Sequence, residues 1–224
     1  MLIAGAGVAA VEALLALRHL AGDRVGVDLL APTPDFVYRP LSVLEPFGGG
    51  EAPRFSLGGI VRYIGAGHVF DGLAAVDPEQ RRVRATSGAE YGFDALVVAT
   101  GARAVEAVPG ALTFPGSAGA GAYRELLVQL DRGEVRELVF TLPADTGWAL
   151  PLYELALLTA GRLFERRIAG ARLALVTPEP APLAAFGARA SDTVAELLDQ
   201  HGVHLQAGVA PHAVREGALV LAEA

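Results

Sequence analysis

The amino-terminal stretch constrains the fold of this chain more than any other feature of the sequence. Residues 1–4 are apolar and predict a short strand, and residues 11–20 have the composition of a helix. Between them stand Gly5, Gly7 and Ala10, at the spacing G-x-G-x-x-A. A glycine turn at this spacing, after a strand and before a helix, is typical of dinucleotide-binding folds.

Each small residue of this turn has its own physical role. Gly5 allows a backbone conformation that a side chain would oppose, and Gly7 allows a pyrophosphate to approach the main chain. Ala10 is small enough for the helix to pack against the strand. The N–H groups around Val8 and Ala9, at the positive end of the helix dipole, are then available to phosphates. The sequence therefore predicts a pyrophosphate-binding turn.

The composition excludes several chemistries. The 224 residues carry a net charge of −7, which argues against a nucleic-acid partner because such a partner favours a basic surface. Lysine is absent, so no Schiff-base or P-loop lysine exists, and cysteine is absent, so no redox dithiol or cysteine nucleophile exists. His201, His204 and His212 show no metal-ligand spacing, and we predict no metal site.

The sequence also gives an expectation for the compartment. Met1 opens directly into the glycine turn without a basic segment, and no apolar run is long enough to span a bilayer. We therefore expect no signal peptide and a cytoplasmic protein. Peripheral association with the inner face of the membrane stays open as an alternative.

The first half of the chain predicts a strand–helix–strand unit. Residues 25–30 form its second strand, and the next residue, where an acid would bind a ribose, is Ala31. Any ribose contact there is left to the backbone or to water. Residues 32–41 admit two interpretations: a surface loop with Phe36 and Tyr38 buried, or a loop beside a planar ligand.

The pattern then changes. Residues 57–64 predict a short helix. Three short strand-like runs follow, at 68–70, 73–76 and 82–84. They lie too close together for helical crossovers and predict an antiparallel meander. Residues 93–99 are almost continuously apolar and predict a buried parallel strand, which Thr100 and Gly101 follow.

The second half repeats the plan of the first. The predicted elements are a helix at 123–131, a strand at 135–142, a helix at 152–164, a strand at 172–177, a helix at 191–200 with Ser191 as N-cap, and strands at 203–206 and 218–222. The loop at 143–151 has one glycine and predicts no second pyrophosphate cradle. We predict an α/β fold of two three-layer, Rossmann-like domains with central parallel sheets, at 1–116 and 117–224. The first also contains a small antiparallel meander.

Three motifs occur in the order found in one enzyme family. They are Gly5-Ala-Gly7-Val-Ala-Ala10, the Asp77-Pro78 turn of the meander, and Asp94-Ala-Leu-Val-Val-Ala99-Thr100-Gly101-Ala102. With them the sequence resembles the FAD-dependent pyridine nucleotide–disulfide oxidoreductases. Residues 36–41 are similar to the flavin-side loop of type II NADH dehydrogenases and sulfide:quinone oxidoreductases. Residues 142–154 are similar to the proline-rich loop of the sulfide:quinone branch, with Glu154 matching the glutamate after the second glycine turn.

The resemblance implies FAD in the first domain. Gly5, Gly7 and Ala10 would take the pyrophosphate, a backbone group at Leu73 would meet the adenine, and Arg39-Pro40 would lie near the ring. The full set of cofactor-binding residues that we predict is Gly5, Gly7, Val8, Ala9, Ala10, Ala31, Arg39, Pro40, Leu73, Ala99, Thr100 and Gly101. No catalytic side chain is assigned, because the flavin carries the redox step.

This sequence departs from the family pattern in three ways. Ala31 lacks the ribose-binding acid. The absence of cysteine excludes a disulfide relay and cysteine-based sulfide chemistry. The family also continues with a strand, a Gly-Asp motif that contacts FAD and an interface domain, so we expect a fragment or a truncated gene product with a weakened FAD site.

Two functions from different classes follow. The first is an FAD-dependent oxidoreductase that passes a hydride or an electron pair between NAD(P)H or a small reductant and a quinone-like acceptor. We expect only weak NADH binding, because residues 143–151 lack the glycines that admit phosphate. The alternative is a non-catalytic nucleotide-binding or interaction module, a homodimer in which a remnant flavin site pairs with a second copy. An ordinary NAD-dependent dehydrogenase fits the meander and Ala31 poorly.

Overall fold

The computed structural model describes residues 1–106, 108–143 and 148–222. The chain divides into two compact units. The first comprises Met1–Arg39 and Ala52–Arg103, and the second comprises Pro40–Glu51 and Ala104–Ala224. The predicted domains, 1–116 and 117–224, are assigned by the cofactor each would bind, whereas the two units are defined by contacts between residues. The assignment by cofactor stays a prediction.

The first unit is built on a parallel sheet with the strand order β5-β2-β1-β9. Its strands are β1 (Leu2–Ala4), β2 (Asp28–Leu30), β3 (Asp35–Val37), β4 (Arg54–Ser56), β5 (Gly67–Val69), β6 (Leu73–Asp77), β7 (Arg82–Ala85), β8 (Glu90–Gly92) and β9 (Leu96–Val98). Its helices are α1 (Val8–Ala21) and α2 (Leu57–Ile64). Ile3 is in register with Leu29 on one side and with Val97 on the other.

Helix α2 has the predicted bounds, whereas α1 is longer than the predicted 11–20 and begins three residues earlier, at Val8. Helix α1 follows an extended Gly7 and ends at Gly22, whose φ is 58°. Its buried residues, including Ala10 and Leu14, pack in one cluster with Ile3 of the sheet. Helix α2 forms despite its two glycines, because the Ser56 hydroxyl accepts a hydrogen bond from the Gly59 N–H at 3.2 Å.

Three predictions for the first unit are corrected. Residues 67–69 belong to the parallel sheet, beside β2, and the meander consists of β6, β7 and β8. The segment predicted as a loop contains β3, which pairs with β4 and stacks Phe36 on Phe55, while Tyr38 is 40% exposed rather than buried. Val98 is 57% exposed, because β9 is an edge strand of the described sheet.

Asp71 holds the second turn of the meander, between β7 and β8. Its carboxylate accepts hydrogen bonds from the Thr86 hydroxyl at 2.6 Å, from the Ser87 hydroxyl, and from the Gly72 N–H at 2.7 Å. The bonds from Ser87 and Thr86 lower the pKa of Asp71 to about 2. The ionised carboxylate therefore joins the start of β6 to the turn after β7.

The second unit contains a parallel sheet with the order β10-β11-β12 and a separate antiparallel hairpin. Its strands are β10 (Glu137–Thr141), β11 (Arg172–Thr177), β12 (Val203–Ala207), β13 (Pro211–Arg215) and β14 (Ala218–Leu221), and its helices are α3 (Ala120–Asp131), α4 (Leu150–Glu165) and α5 (Ala188–Gln200). Pro151 stands in the first turn of α4, as predicted. Ser191 is not the N-cap of α5: the helix begins at Ala188 after Gly187, and Ser191 is buried inside it.

The segment 40–51 belongs to the second unit although both of its flanks belong to the first. It lies mostly in a 3-10 helix, Arg39–Phe47, whose Val43 joins the buried cluster around Tyr123 and Tyr153. The Ser117 hydroxyl donates to Glu45 Oε1 at 2.6 Å. The core of the second unit is therefore completed by a piece of chain that comes from the middle of the first.

Within the described ranges, none of the helices combines the length and the apolarity needed to cross a bilayer. The same residues include no group of three or more metal-ligating side chains that could hold a metal ion.

Candidate nucleotide-binding site

The glycine turn of the first unit is shaped by a close approach of two chain segments. Gly5 has a φ of 139°, and a Cβ atom there would lie 2.1 Å from the carbonyl oxygen of Ala99. Backbone hydrogen bonds tie this region together, from Gly5 N–H to Leu30 O at 2.9 Å and from Ala99 N–H to Ala4 O at 2.7 Å. Only glycine fits this position. The turn thus brings Gly5 together with the carboxyl ends of β1, β2 and β9.

The next residues of the turn face solvent. Gly7 has an ordinary φ of −87°, and nothing lies within 4 Å of where its Cβ would be. Val8 is 46% exposed and Ala9 is also exposed. In the described backbone, the N–H groups of Ala10 and Val11 donate to the Gly7 carbonyl. The N–H groups of Val8 and Ala9, which precede them, remain available.

No acidic side chain stands in the first turn of α1. Ala10 is fully buried against the sheet, which is the packing role that its size predicts. Exposed N–H groups and a helix dipole without an acid beside them suit an anion such as a pyrophosphate.

The remaining predicted residues lie at strand and helix ends. Ala31, at the end of β2, is buried and donates its N–H to Val69 O at 3.0 Å, so its N–H is already used. Leu73 is half-buried at the start of β6. Thr100 and Gly101 are exposed, and the φ of 75° at Gly101 redirects the chain after β9. Their roles toward a cofactor stay predictions.

Arg39 and Pro40, expected near a flavin ring, are both exposed at the start of the 3-10 helix. They stand on opposite sides of the division between the two units, since Arg39 ends a segment of the first and Pro40 begins one of the second. Their contact with a flavin ring also stays a prediction.

The second unit carries an acid that the sequence analysis missed. Glu179 follows β11 by two residues, at the place where dinucleotide folds hold a ribose-binding acid. Its Oε2 accepts hydrogen bonds from the Tyr153 hydroxyl at 2.6 Å and from the Thr177 hydroxyl at 3.2 Å. Burial, and then the bond to Glu179, raise the pKa of Tyr153. The offset used for Ala31, one residue after the strand, gives Pro178 here, so a search extended to the second residue after the predicted strand 172–177 would have found Glu179.

A cavity of about 670 Å³ lies elsewhere in the second unit, between the 3-10 helix and α4. Its apolar lining includes Leu44, Phe47 and Leu158, and burial raises the pKa of Glu154, which also lines it. The lining residues Arg162 and Arg166 are both paired with Asp131, at 2.5 and 2.8 Å. The cavity depends on two elements distant in sequence, and no local motif indicates it.

These features define the class of the protein. A strand–glycine turn–helix unit on one parallel sheet and a second parallel sheet with an acid at its carboxyl edge make two dinucleotide-binding-type units, one carrying a meander. The predicted α/β fold is confirmed.

Comparison with known proteins agrees with this class. No family model matches the sequence. An NADH dehydrogenase-like protein of Mycobacterium tuberculosis is 30% identical over 179 residues, covering 76% of this chain and 44% of its own length. Of the solved structures, the sulfide:quinone oxidoreductase of Aquifex aeolicus has a TM-score of 0.84 at 22% identity, covering 98% of this chain and 53% of that one.

Two further structures share the fold. NDH2 of Plasmodium falciparum, in a complex with NADH, has a TM-score of 0.72 at 14% identity and covers 97% of this chain and 49% of its own. A ferredoxin reductase of Rhodopseudomonas palustris has a TM-score of 0.68 at 21% identity, with 98% and 54% covered. The resemblance to the FAD-dependent pyridine nucleotide–disulfide oxidoreductases is confirmed. It spans less than half the length of the curated relative.

Proposed function

We propose that this chain is the nucleotide-binding part of an FAD-dependent oxidoreductase. It would pass a hydride or an electron pair between NAD(P)H or a small reductant and a quinone-like acceptor. The relatives support the general class: one is NADH dehydrogenase-like, and the fold is shared with a sulfide:quinone oxidoreductase and with an NDH2 solved with NADH. The choice of quinone as acceptor rests on the sequence resemblance.

The approach of Gly5 to Ala99 carries this proposal. It explains why the turn needs glycine, and it leaves Gly7, Val8 and Ala9 exposed at the start of α1. The open space at Gly7 and the available N–H groups fit a pyrophosphate. Ala31 offers no acid to the ribose, so the main chain would supply most of the binding.

The division of labour between protein and cofactor follows from these contacts. When bound, FAD supplies the two-electron chemistry. The turn at 5–10 would hold its pyrophosphate, and Thr100 and Gly101 would close over it. In the second unit, Glu179 would accept hydrogen bonds from a nicotinamide nucleotide's ribose. The 143–151 loop still predicts weak NADH binding.

The proposal is tested by the absorption spectrum of the purified protein after incubation with FAD and removal of free ligand. We expect flavin bands near a 1:1 ratio. Gly7→Val places methyl groups in the open space and should weaken FAD at least tenfold, since charge-assisted hydrogen bonds contribute about 1.5–3 kcal/mol each.

Gly26→Val is the matched control. A Cβ atom at Gly26 would also meet nothing within 4 Å, and the φ of Gly26 is not left-handed. Gly26 lies outside the glycine turn. Protein that stays colourless, or that loses flavin equally in both variants, would refute the proposed site.

A second candidate function is the non-catalytic module, because two apolar side chains close in sequence to the approach of Gly5 to Ala99 are exposed. Val8 and Val98 are 46% and 57% exposed in the first unit. A dimer in light scattering that Val8→Asp dissociates, in a protein with no affinity for FAD, would favour this function over the first. A monomer that binds FAD would exclude it.

A further inference from the structure

Two aromatic side chains meet in the open on the second unit. Trp148 is 59% exposed and Phe186 is 52% exposed, and their ring centroids lie 5.6 Å apart at an angle of 62°. Trp148 stands just before α4, in the connection from β10, and Phe186 stands in the connection from β11 to α5. The pair therefore lies after the carboxyl ends of two parallel strands, which is where ligands bind in open α/β sheets.

The turn that carries Phe186 is held by the core. Leu183 adopts a left-handed φ of 50°, which costs a non-glycine residue conformational energy, and its side chain is buried. The Phe186 N–H donates to Leu183 O at 2.9 Å, and the Gly187 N–H donates to Ala184 O at 3.0 Å. Phe186 is thus fixed on a short 3-10 turn, Ala184–Phe186, with half of its surface in solvent.

The geometry of the pair suits one flat ligand ring. Two rings inclined at 62° form a corner, in which a planar heterocycle can stack on one face while its edge meets the other ring. Stacking of this kind accepts any base, because every base has a π-face. The contact joins two connections that lie almost 40 residues apart, so it is a tertiary feature of this edge.

The loop on this edge predicts no cradle for a pyrophosphate. The 143–151 loop contains a single glycine and Glu179 carries a carboxylate at the edge, whereas Arg189, exposed in the first turn of α5, is a cation there that the comparison of adenosine with ADP-ribose tests. A nucleotide bound here would therefore be held through its base rather than through its pyrophosphate. At the glycine turn of the first unit, by contrast, the pyrophosphate would supply most of the contacts.

We propose that Trp148 and Phe186 form a stacking site for the heteroaromatic base of a nucleoside or nucleotide, to which the phosphates add little affinity. The inference deepens the proposed function, since a nicotinamide nucleotide would be one ligand of this class. It assigns the binding to the aromatic corner, where the sequence had predicted only the lack of a glycine cradle.

Trp148 is the single tryptophan of the chain, so its fluorescence reports directly on the site. The titration uses protein that has been incubated with FAD and then freed of unbound FAD, and it compares adenosine with ADP-ribose. We expect saturable quenching by both, with Kd values within about threefold of each other. Phe186→Ala should weaken adenosine about tenfold, which corresponds to about 1.4 kcal/mol and lies within the range measured for base stacking.

Phe164→Ala is the matched control, since Phe164 is an aromatic side chain that is 85% exposed outside this edge, and it should change nothing. Calorimetry with adenosine on Trp148→Leu should also show the loss. The inference is overturned by no saturable quenching, by binding of ADP-ribose without adenosine, or by an unchanged Kd in Phe186→Ala. Flavin binding with no adenosine binding would refute this inference alone, and adenosine binding by a protein that takes up no flavin would refute the proposed function alone.

Discussion

The substitution Gly5→Ala separates two reasons for a glycine at the start of the turn. If phosphate approach were the only reason, the apo protein would tolerate alanine. The structure instead places the new Cβ 2.1 Å from Ala99 O and 2.6 Å from Ala99 C, with φ at 139°. Because both atoms belong to backbone between β9 and Thr100, neither can move away as a flexible side chain would.

The expected cost has two parts. A left-handed backbone costs a non-glycine residue about 1–2 kcal/mol, and forcing extra volume into a packed site costs about 1–3 kcal/mol. A loss of about 2–5 kcal/mol would lower the urea midpoint of the first unit by about 1–2.5 M, with an m-value of about 2 kcal/mol/M. Gly7→Ala, at an open site with an ordinary φ, should leave the midpoint within error.

Far-UV circular dichroism follows the unfolding of both units, whereas the fluorescence of Trp148 follows the second unit. We expect Gly5→Ala to shift the dichroism transition more than the fluorescence transition, with no FAD present. Equal midpoints for Gly5→Ala and Gly7→Ala would show that the close approach to Ala99 does not constrain this position.

Three other predictions concern ionisable groups. The pKa of Asp71, about 2, lies below its ordinary value of 3.8, so its contribution to stability is present above pH 3.8 and is lost as the pH falls through about 2; urea midpoints of Asp71→Asn should lack this acid-dependent loss. Burial raises the pKa of Tyr123 and Tyr153, so an alkaline absorbance titration should leave two of the five tyrosines protonated until the chain unfolds. Asp131→Asn removes the counter-charge of Arg162, whose side chain is only 17% exposed in the ion pair. The substitution should destabilise the second unit by about 1–3 kcal/mol in fluorescence-detected unfolding. An unchanged midpoint would show that water compensates for the lost ion pair.

The sequence predicted best those features that a local pattern encodes. The glycine turn, helix α1 and the strand β11 follow from spacing and periodicity over a few residues. The errors concern which segments pair with each other and where a helix begins. Residues 67–69 are too few to reveal whether they pair with β2 or with the meander, because pairing is decided by tertiary contacts. The helix α5 begins before Ser191 because Gly187 already ends the preceding turn.

The candidate site shows the same limit. Gly5, Gly7 and Ala10 could be found from their motif. The reason for Gly5 could not be, because Ala99 is far away in sequence and its carbonyl defines the available space. Glu179 could have been found by a search for an acid within two residues after the predicted strand 172–177. The contact between Trp148 and Phe186 could not be predicted, because no local sequence pattern shows that the loops after two successive strands touch.

The route of the chain through 40–51 has a consequence for dissection of the protein. A single proteolytic cut between Arg103 and Ala104 would leave on the amino-terminal fragment Val43, which belongs to the second core, and Glu45, which accepts the hydrogen bond from Ser117. The two fragments would then behave as complementing halves that share one hydrophobic core, and residues 104–224 expressed alone would expose the apolar surface that Val43 covers. No single cut in the chain therefore separates the two units as genetic modules.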